Sequence, residues 1–93
     1  MATKAQHERG YTAIPAFLRN LREEALLTQR ELGRRLGKPQ SWVFNCETGN
    51  RRVDITEFVA WVRGCGSDLN KTFSQLLRFL PESVQKKPTN RHL

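Results

Sequence analysis

The sequence lacks the features that mark secreted, metal-binding and membrane proteins. It has only two cysteines in 93 residues, and their separation fits neither a disulfide framework nor a metal-ligand motif. No apolar run approaches the roughly 18 residues that a membrane-spanning helix needs. The polar start MATKAQHERG also lacks the apolar segment of a signal peptide. We therefore expect a reduced, cytoplasmic protein with no membrane partner.

Acidic residues are also few. The chain has 16 lysines and arginines against nine aspartates and glutamates, which gives a formal charge of +7 and a sequence pI near 10.3. Such an excess favours polyanionic partners, with nucleic acid ahead of an acidic membrane surface. The histidines, His7 and His92, lie near opposite ends and offer neither a general base nor a metal cluster. The sequence therefore predicts no enzyme, no catalytic residue, no metal and no cofactor.

The spacing of apolar residues is helical along the central part of the chain and gives no convincing strand. It predicts an all-α fold, with a compact five-helix domain over residues 12–80. We expect residues 1–11 to form a flexible arm and residues 81–93 a flexible basic tail.

Capping signals mark where the predicted helices begin and end. Thr12 is the expected cap of a first helix over residues 13–25, which places Pro15 in its first turn. Capping boxes that start at Thr28 and Asp54 open the second and fourth helices. Glycines should end the second helix at residue 37 and the fourth before residue 64, and a proline opens the third, over residues 39–47. The fifth helix begins near residues 67–70, and its expected core stripe is Phe73, Leu76, Leu77 and Leu80.

Residues 28–47 combine two short helices with a glycine-containing turn. This arrangement predicts a helix-turn-helix unit, whose second helix enters the major groove of DNA, and Gly33 would let the two helices cross closely. On a helical wheel the third helix turns outward three side chains that can read base edges: Gln40, Ser41 and Asn45. Trp42 and Phe44 flank this face, and two roles are open for them, packing at the edge of the core or apolar contact with thymine methyls or sugars of the DNA.

Basic residues concentrate around this helix. Between Thr28 and Arg52 six of them oppose only Glu31 and Glu47, namely Arg30, Arg34, Arg35, Lys38, Arg51 and Arg52. A polar helix face is often ordinary solvated surface. Because phosphate contacts supply most of the non-specific affinity for DNA, the surrounding charge favours the DNA interpretation.

The stretch LREEALLTQRELGRRLGKPQSWVFNCETGNRRVDITEF resembles the DNA-binding domain of the XRE family, the Cro and lambda-repressor type helix-turn-helix proteins. The resemblance runs from about Phe17 to Asp68 and rests on the combination of LR, LTQREL, LGKPQSWV and ETG. It implies a lambda-repressor-like domain that binds double-stranded operator DNA, usually as a two-fold dimer on a palindromic site.

The resemblance also implies roles at the matching positions. Gln40, Ser41 and Asn45 match base-contacting positions, and Arg22 and Glu47 match a buried structural salt bridge between the first and third helices. Gln29 matches a phosphate-binding glutamine, and the loop after the third helix matches a segment that holds the DNA backbone. With the neighbouring basic residues, the expected phosphate-contacting set is Gln29, Arg30, Lys38, Asn50, Arg51 and Arg52.

Phe79 falls off the core stripe of the fifth helix, and Trp61 lies at the edge of the core face of the fourth. These two aromatic residues are the expected interface of a homodimer built from the fifth helix and the end of the fourth. The expected function is sequence-specific DNA binding by a transcriptional regulator, with repression favoured because no second domain is evident. Two alternatives share the fold, an antitoxin that also binds a toxin protein and a helix-turn-helix adaptor that binds protein only. RNA binding is less favoured, because no aromatic platform for base stacking is evident.

Overall fold

The computed structural model describes residues 9–85, with the side chains from residue 11 onward. This part of the chain contains no strand and forms six helices: α1 (Arg9–Glu24), α2 (Gln29–Leu36), α3 (Gln40–Thr48), α4 (Ile55–Gly64), α5 (Leu69–Phe79) and α6 (Glu82–Gln85). The predicted all-α class is confirmed, with the four-residue α6 added to the five expected helices. None of the described helices is long and apolar enough to cross a membrane.

One core joins the first five helices. Its fully buried side chains come from α1, α2, α3 and α4, and they are Leu18, Leu32, Val43, Cys46, Trp61 and Val62. Both cysteines are buried, and this burial raises the pKa of each thiol to about 11. The cysteines therefore act as small packing residues.

The first helix already includes Arg9, so the prediction of a start at residue 13 with a Thr12 cap is wrong. Pro15 accordingly lies inside α1, where its ring nitrogen cannot donate a helical hydrogen bond. A distant contact holds the early turn in place. The buried Tyr11 hydroxyl accepts a hydrogen bond from the Val53 amide (2.9 Å) and donates one to the Arg51 carbonyl (3.3 Å). Residue spacing within α1 carries no sign of these partners, which lie some forty positions away.

The cap predictions for α2 and α4 are confirmed. Thr28 with Glu31 and Asp54 with Glu57 form complete capping boxes, in which side chain and backbone bond reciprocally. Gly37 ends α2 in the left-handed conformation. Gly64, expected beyond the end of α4, is instead its last residue.

Gly33 marks the closest approach of α2 to the turn that follows it. A Cβ atom at this position would lie 2.7 Å from the Lys38 carbonyl oxygen, closer than real Cβ atoms come to backbone atoms. The predicted close crossing of α2 and α3 therefore depends on the missing side chain.

The core-facing side of α5 differs from the predicted stripe. Leu76 is buried and Leu80 packs against the core, as predicted. Thr72 is the other buried residue of this helix, whereas Leu77 is 56% exposed and Phe73 is also exposed. The helix rests on α1 and α4 with the side that carries Thr72 and Leu76, and Leu77 lies on its exposed side.

The two aromatics expected at the dimer interface lie in different environments. Trp61 is fully buried, its indole N–H donates to the Leu18 carbonyl (3.1 Å), and its ring lies 6.1 Å from that of Trp42. Trp61 is therefore a core residue, and its assignment to a dimer interface is wrong. Phe79 remains 42% exposed, although its ring lies 5.2 Å from that of Phe17.

The expected flexible segments fall mostly outside the described residues. Of the arm predicted at residues 1–11, residues 9–11 belong to α1, and of the tail predicted at residues 81–93, residues 82–85 form α6. Residues 1–8 and 86–93 lie outside the described part of the chain.

Candidate nucleic-acid interface

Helix α3 has a buried apolar inner side and a polar outer face. Val43 and Cys46 are fully buried, whereas Gln40 and Ser41 are exposed and Asn45 is half-buried. The outer face carries hydroxyl and amide groups, which can both donate and accept hydrogen bonds to base edges. The candidate base-contacting residues therefore share the side of α3 that points away from the core.

An ion pair between Arg22 of α1 and Glu47 of α3 fixes the position of this helix. Arg22 donates from Nε to one carboxylate oxygen (2.6 Å) and from an Nη atom to the other (2.9 Å), with side-chain exposures of 11% for Arg22 and 2% for Glu47. The hydrogen bond with Glu47 raises the pKa of Arg22 above its ordinary value. Arg22 also donates to the Leu27 carbonyl (2.8 Å), so it joins α3 to the turn between α1 and α2. The geometry is that of a strong bidentate pair.

Two glutamines extend this network to the protein surface. The Gln29 amide donates to Glu47 (2.9 Å), and the Gln40 amide donates to Gln29 (2.6 Å). A chain of hydrogen bonds thus runs from the buried Arg22 to Gln40 at the first turn of α3. The sequence suggested separate roles for the two glutamines and missed this bond. Their positions at the first residues of α2 and α3 were the available signal.

The loop after α3 uses part of its charge within the fold. Arg51 donates two hydrogen bonds to the carboxylate of Glu57, at 3.0 and 2.9 Å, and these hold the pKa of Glu57 below its usual range. The Arg52 guanidinium lies 4.2 Å from the centre of the Tyr11 ring. Asn50 donates a long hydrogen bond of 3.5 Å to Asn45. Arg51 therefore has a structural contact in addition to its expected role at phosphate.

Trp42 and Phe44, for which the sequence left two roles open, lie in different environments. Trp42 packs on Trp61, and Lys38 and Arg51 place their cationic groups about 5 Å from the centre of its ring, at 5.2 and 5.1 Å. Phe44 points outward and is 47% exposed. The structure thus favours packing for Trp42 and leaves Phe44 on the open face.

The charge around α3 is predominantly basic once pairing is considered. Arg22 neutralises Glu47, and Arg51 neutralises Glu57. Arg30 and Lys38 are exposed near the starts of α2 and α3. The acidic groups nearest the polar face are therefore paired, and an approaching phosphate would meet mainly positive charge.

A family model described as a helix-turn-helix domain matches residues 14–72. The structure is similar to that of an XRE-family like protein from Pseudomonas syringae pv. tomato str. DC3000, with 40% sequence identity, a TM-score of 0.70, and coverage of 84% of this chain and 95% of that chain. The chain belongs to the XRE family of helix-turn-helix proteins.

A second solved structure shares the fold of this XRE-family protein at much lower identity. It is the wild-type restriction-modification controller protein C.Esp1396I, with 16% identity, a TM-score of 0.64, and coverage of 80% of this chain and 92% of that chain. A comparison with curated proteins gives no match. The XRE-type helix-turn-helix is a fold of DNA-binding transcription regulators, which are typically not enzymes.

In this XRE-family protein the candidate DNA-binding residues lie on α3 or on segments next to it in the chain. Gln40, Ser41 and Asn45 lie on α3, and Gln29 accepts a hydrogen bond from Gln40. The remaining candidates come from the start of α2, the turn before α3 and the loop after it, and they are Arg30, Lys38, Asn50, Arg51 and Arg52. Trp61 is excluded from any surface role by its burial.

Proposed function

We propose that this XRE-family protein is a cytoplasmic transcriptional repressor that binds a palindromic operator as a homodimer. Each subunit would insert α3 into the major groove and read bases with Gln40, Ser41 and Asn45. The observation that carries the proposal is the bonded series Arg22, Glu47, Gln29 and Gln40, which holds the polar face of α3 in one orientation. A groove reader needs such fixed geometry, because displacement of its side chains by about an ångström weakens base readout.

The first test is selection of bound sequences from random duplex DNA, followed by titration of affinity against salt. We expect an enriched inverted repeat whose half-site centres lie about one helical turn, or roughly 34 Å, apart. We also expect affinity to fall steeply as salt rises, because phosphate contacts release counterions. Recovery of no enriched duplex sequence would contradict operator recognition and favour the adaptor alternative.

Asn45→Ala should lower affinity for the selected operator by about 1–3 kcal/mol while leaving affinity for unrelated duplex DNA nearly unchanged. The reason is that Asn45 would contact base edges, which carry the sequence information. Arg30→Ala is the matched control for a phosphate contact. This variant should bind both the operator and unrelated DNA more weakly, and it should lower the slope of log affinity against log salt by about 0.9. Fluorescence anisotropy at several salt concentrations measures the affinity and its salt slope. If Asn45→Ala lost affinity equally for the operator and for unrelated DNA, Asn45 would not read bases.

The homodimer is supported by an apolar face on α4 and α5, defined by Ile55, Phe73 and Leu77. All three side chains are exposed, and the Phe73 ring lies 5.6 Å from that of Phe58, which borders the same groove as Ile55. That groove has a volume of about 240 Å³. A second copy of this chain suits the face, because Ile55 directly follows the loop that leaves α3. A dyad at this place would set two recognition helices side by side.

Leu77→Glu should convert the protein to a monomer, since the new carboxylate would be buried without a partner in the α4 and α5 apolar face. Phe79 lies about 200° around α5 from Leu77 and already packs on Phe17, so we centre the interface on Leu77. Leu26→Glu is the matched control, because Leu26 is exposed in the turn after α1. Sedimentation at micromolar concentration should show a dimer for the wild type and for Leu26→Glu. A monomeric wild type, free and on DNA, would refute the dimer.

A further inference from the structure

Phe44 occupies an unusual place for a large aromatic side chain. It lies one turn from Ser41 and from Thr48 on the outer face of α3, and it is 47% exposed. It borders an open groove of about 250 Å³ between α1, the start of α2 and α3, together with Arg19, Gln29 and Thr48. The base-reading face therefore contains one side chain that can neither donate nor accept a hydrogen bond.

Core packing does not account for this position. The ring pairs among the described residues join Phe17, Phe58, Phe73, Phe79, Trp42 and Trp61, and none of them includes Phe44. Phe44 is also outside the buried cluster and the apolar residues that pack against it. Its neighbour Trp42 shows the contrast, because it packs on Trp61 with two cations over its ring. The fold thus leaves the Phe44 ring available to a ligand of the α3 face.

The apolar Phe44 ring can recognise only apolar groups on the base edges of a major groove. Base edges there present hydrogen-bonding atoms and one apolar group, the C5 methyl of thymine. A 5-methylcytosine presents the same methyl group at the same carbon, next to an amino group in place of the thymine oxygen. A phenyl ring therefore gains contact with these two bases and gains little from uracil or unmethylated cytosine.

We propose that Phe44 is a specificity residue that reads the C5 methyl group of a pyrimidine, so that operator binding depends on that methyl. This inference rests on the proposed function, since it requires α3 to lie in the major groove. Burial of one methyl-sized group is worth about 0.8 kcal/mol, which corresponds to roughly four-fold in affinity for each half-site. The protein should therefore distinguish methylated from unmethylated pyrimidines at one position of each half-site.

The test uses the full chain and the operator obtained by selection. Each thymine is replaced in turn by deoxyuridine, which removes only the methyl group, and each cytosine by 5-methylcytosine. For the wild type we expect at least one position per half-site where loss of the methyl weakens binding about four-fold, or where its addition strengthens binding similarly. Phe44→Ala should abolish that dependence, and Phe44→Leu, which keeps an apolar side chain, should retain part of it. Asn45→Ala is the control, because it should weaken operator binding yet keep the methyl dependence.

The possible outcomes distinguish failure of the Phe44 inference from failure of the proposed function. If an operator is selected but the wild type responds to methyl content at no position, the Phe44 inference is refuted while the proposed function stands. The same holds if the dependence persists in Phe44→Ala. If selection yields no duplex site, the proposed function and the inference both fail. Because Phe44 is partly exposed and outside the core, its variants should fold, and the wild-type scan gives a result without any variant.

Discussion

Arg22→Ala and Glu47→Ala should each lower the free energy of unfolding by about 3–5 kcal/mol, because either change leaves a charged partner buried without compensation. The side chain of Glu47 is 2% exposed, so water cannot replace the two hydrogen bonds that it accepts from Arg22. In a 93-residue domain such a loss is a large part of the total stability, which is on the order of 5–14 kcal/mol. Denaturant titration of each variant measures the effect.

Arg19 provides the matched control for this prediction. It lies in the same helix and pairs with Glu23 at 3.0 Å, but both side chains are at least half exposed, at 61% and 50%. Arg19→Ala should therefore cost only about 0.3–0.5 kcal/mol, as expected of a surface pair one helical turn apart. Losses of similar size for Arg19→Ala and Arg22→Ala would contradict the buried role of Arg22.

A double substitution separates orientation from stability at this pair. Replacing both residues together, as Arg22→Met with Glu47→Leu, removes both buried charges and should recover much of the lost stability. Gln29 would nevertheless lose its acceptor on Glu47, and Gln40 would remain bonded to a glutamine that is no longer held. We expect this double variant to fold and still bind the operator poorly. Such a result would show that the pair serves mainly to orient α3.

Local signals in the sequence predicted much of the fold. The capping boxes at Thr28 and Asp54 and the left-handed Gly37 involve atoms within a few residues, so a sequence pattern contains all the information that they need. The start of α1 could not be predicted in this way. Its early turn contains Tyr11, whose hydroxyl bonds to the backbone of residues 51 and 53 across the domain.

In the candidate site, too, the sequence predicted local features but not the contacts between elements. Residue type and helical period placed Gln40, Ser41 and Asn45 on one outer face, which the structure also gives. The periodic pattern could not show that Arg51 bonds to Glu57 or that Gln40 bonds to Gln29, because these contacts join different elements. Helical period placed Leu76 of α5 and its C-cap Leu80 on the inner face correctly but missed Thr72 and wrongly included Leu77, since the direction in which a helix is covered depends on its neighbours.

Trp61 is the residue for which the helical period was most misleading, because it lies in the core and not at a subunit interface. Trp61→Ala should lower the free energy of unfolding by about 3–5 kcal/mol, because it leaves a large cavity beside Leu18 and Trp42 and removes the bond to the Leu18 carbonyl. Phe79→Ala is the natural comparison, since the sequence assigned both aromatics to the same interface. With 42% of Phe79 exposed, its truncation should cost about 1 kcal/mol.

The dependence of unfolding on protein concentration distinguishes a core residue from an interface residue. Loss of a core contact destabilises each subunit equally at every concentration, whereas loss of an interface contact weakens the dimer and changes how stability rises with concentration. We therefore expect Trp61→Ala to show the same deficit at all concentrations and Leu77→Glu to abolish the concentration dependence itself. If Trp61→Ala instead kept the stability of the wild-type subunit and sedimented as a monomer, Trp61 would lie between subunits and the packing of α4 described above would be wrong.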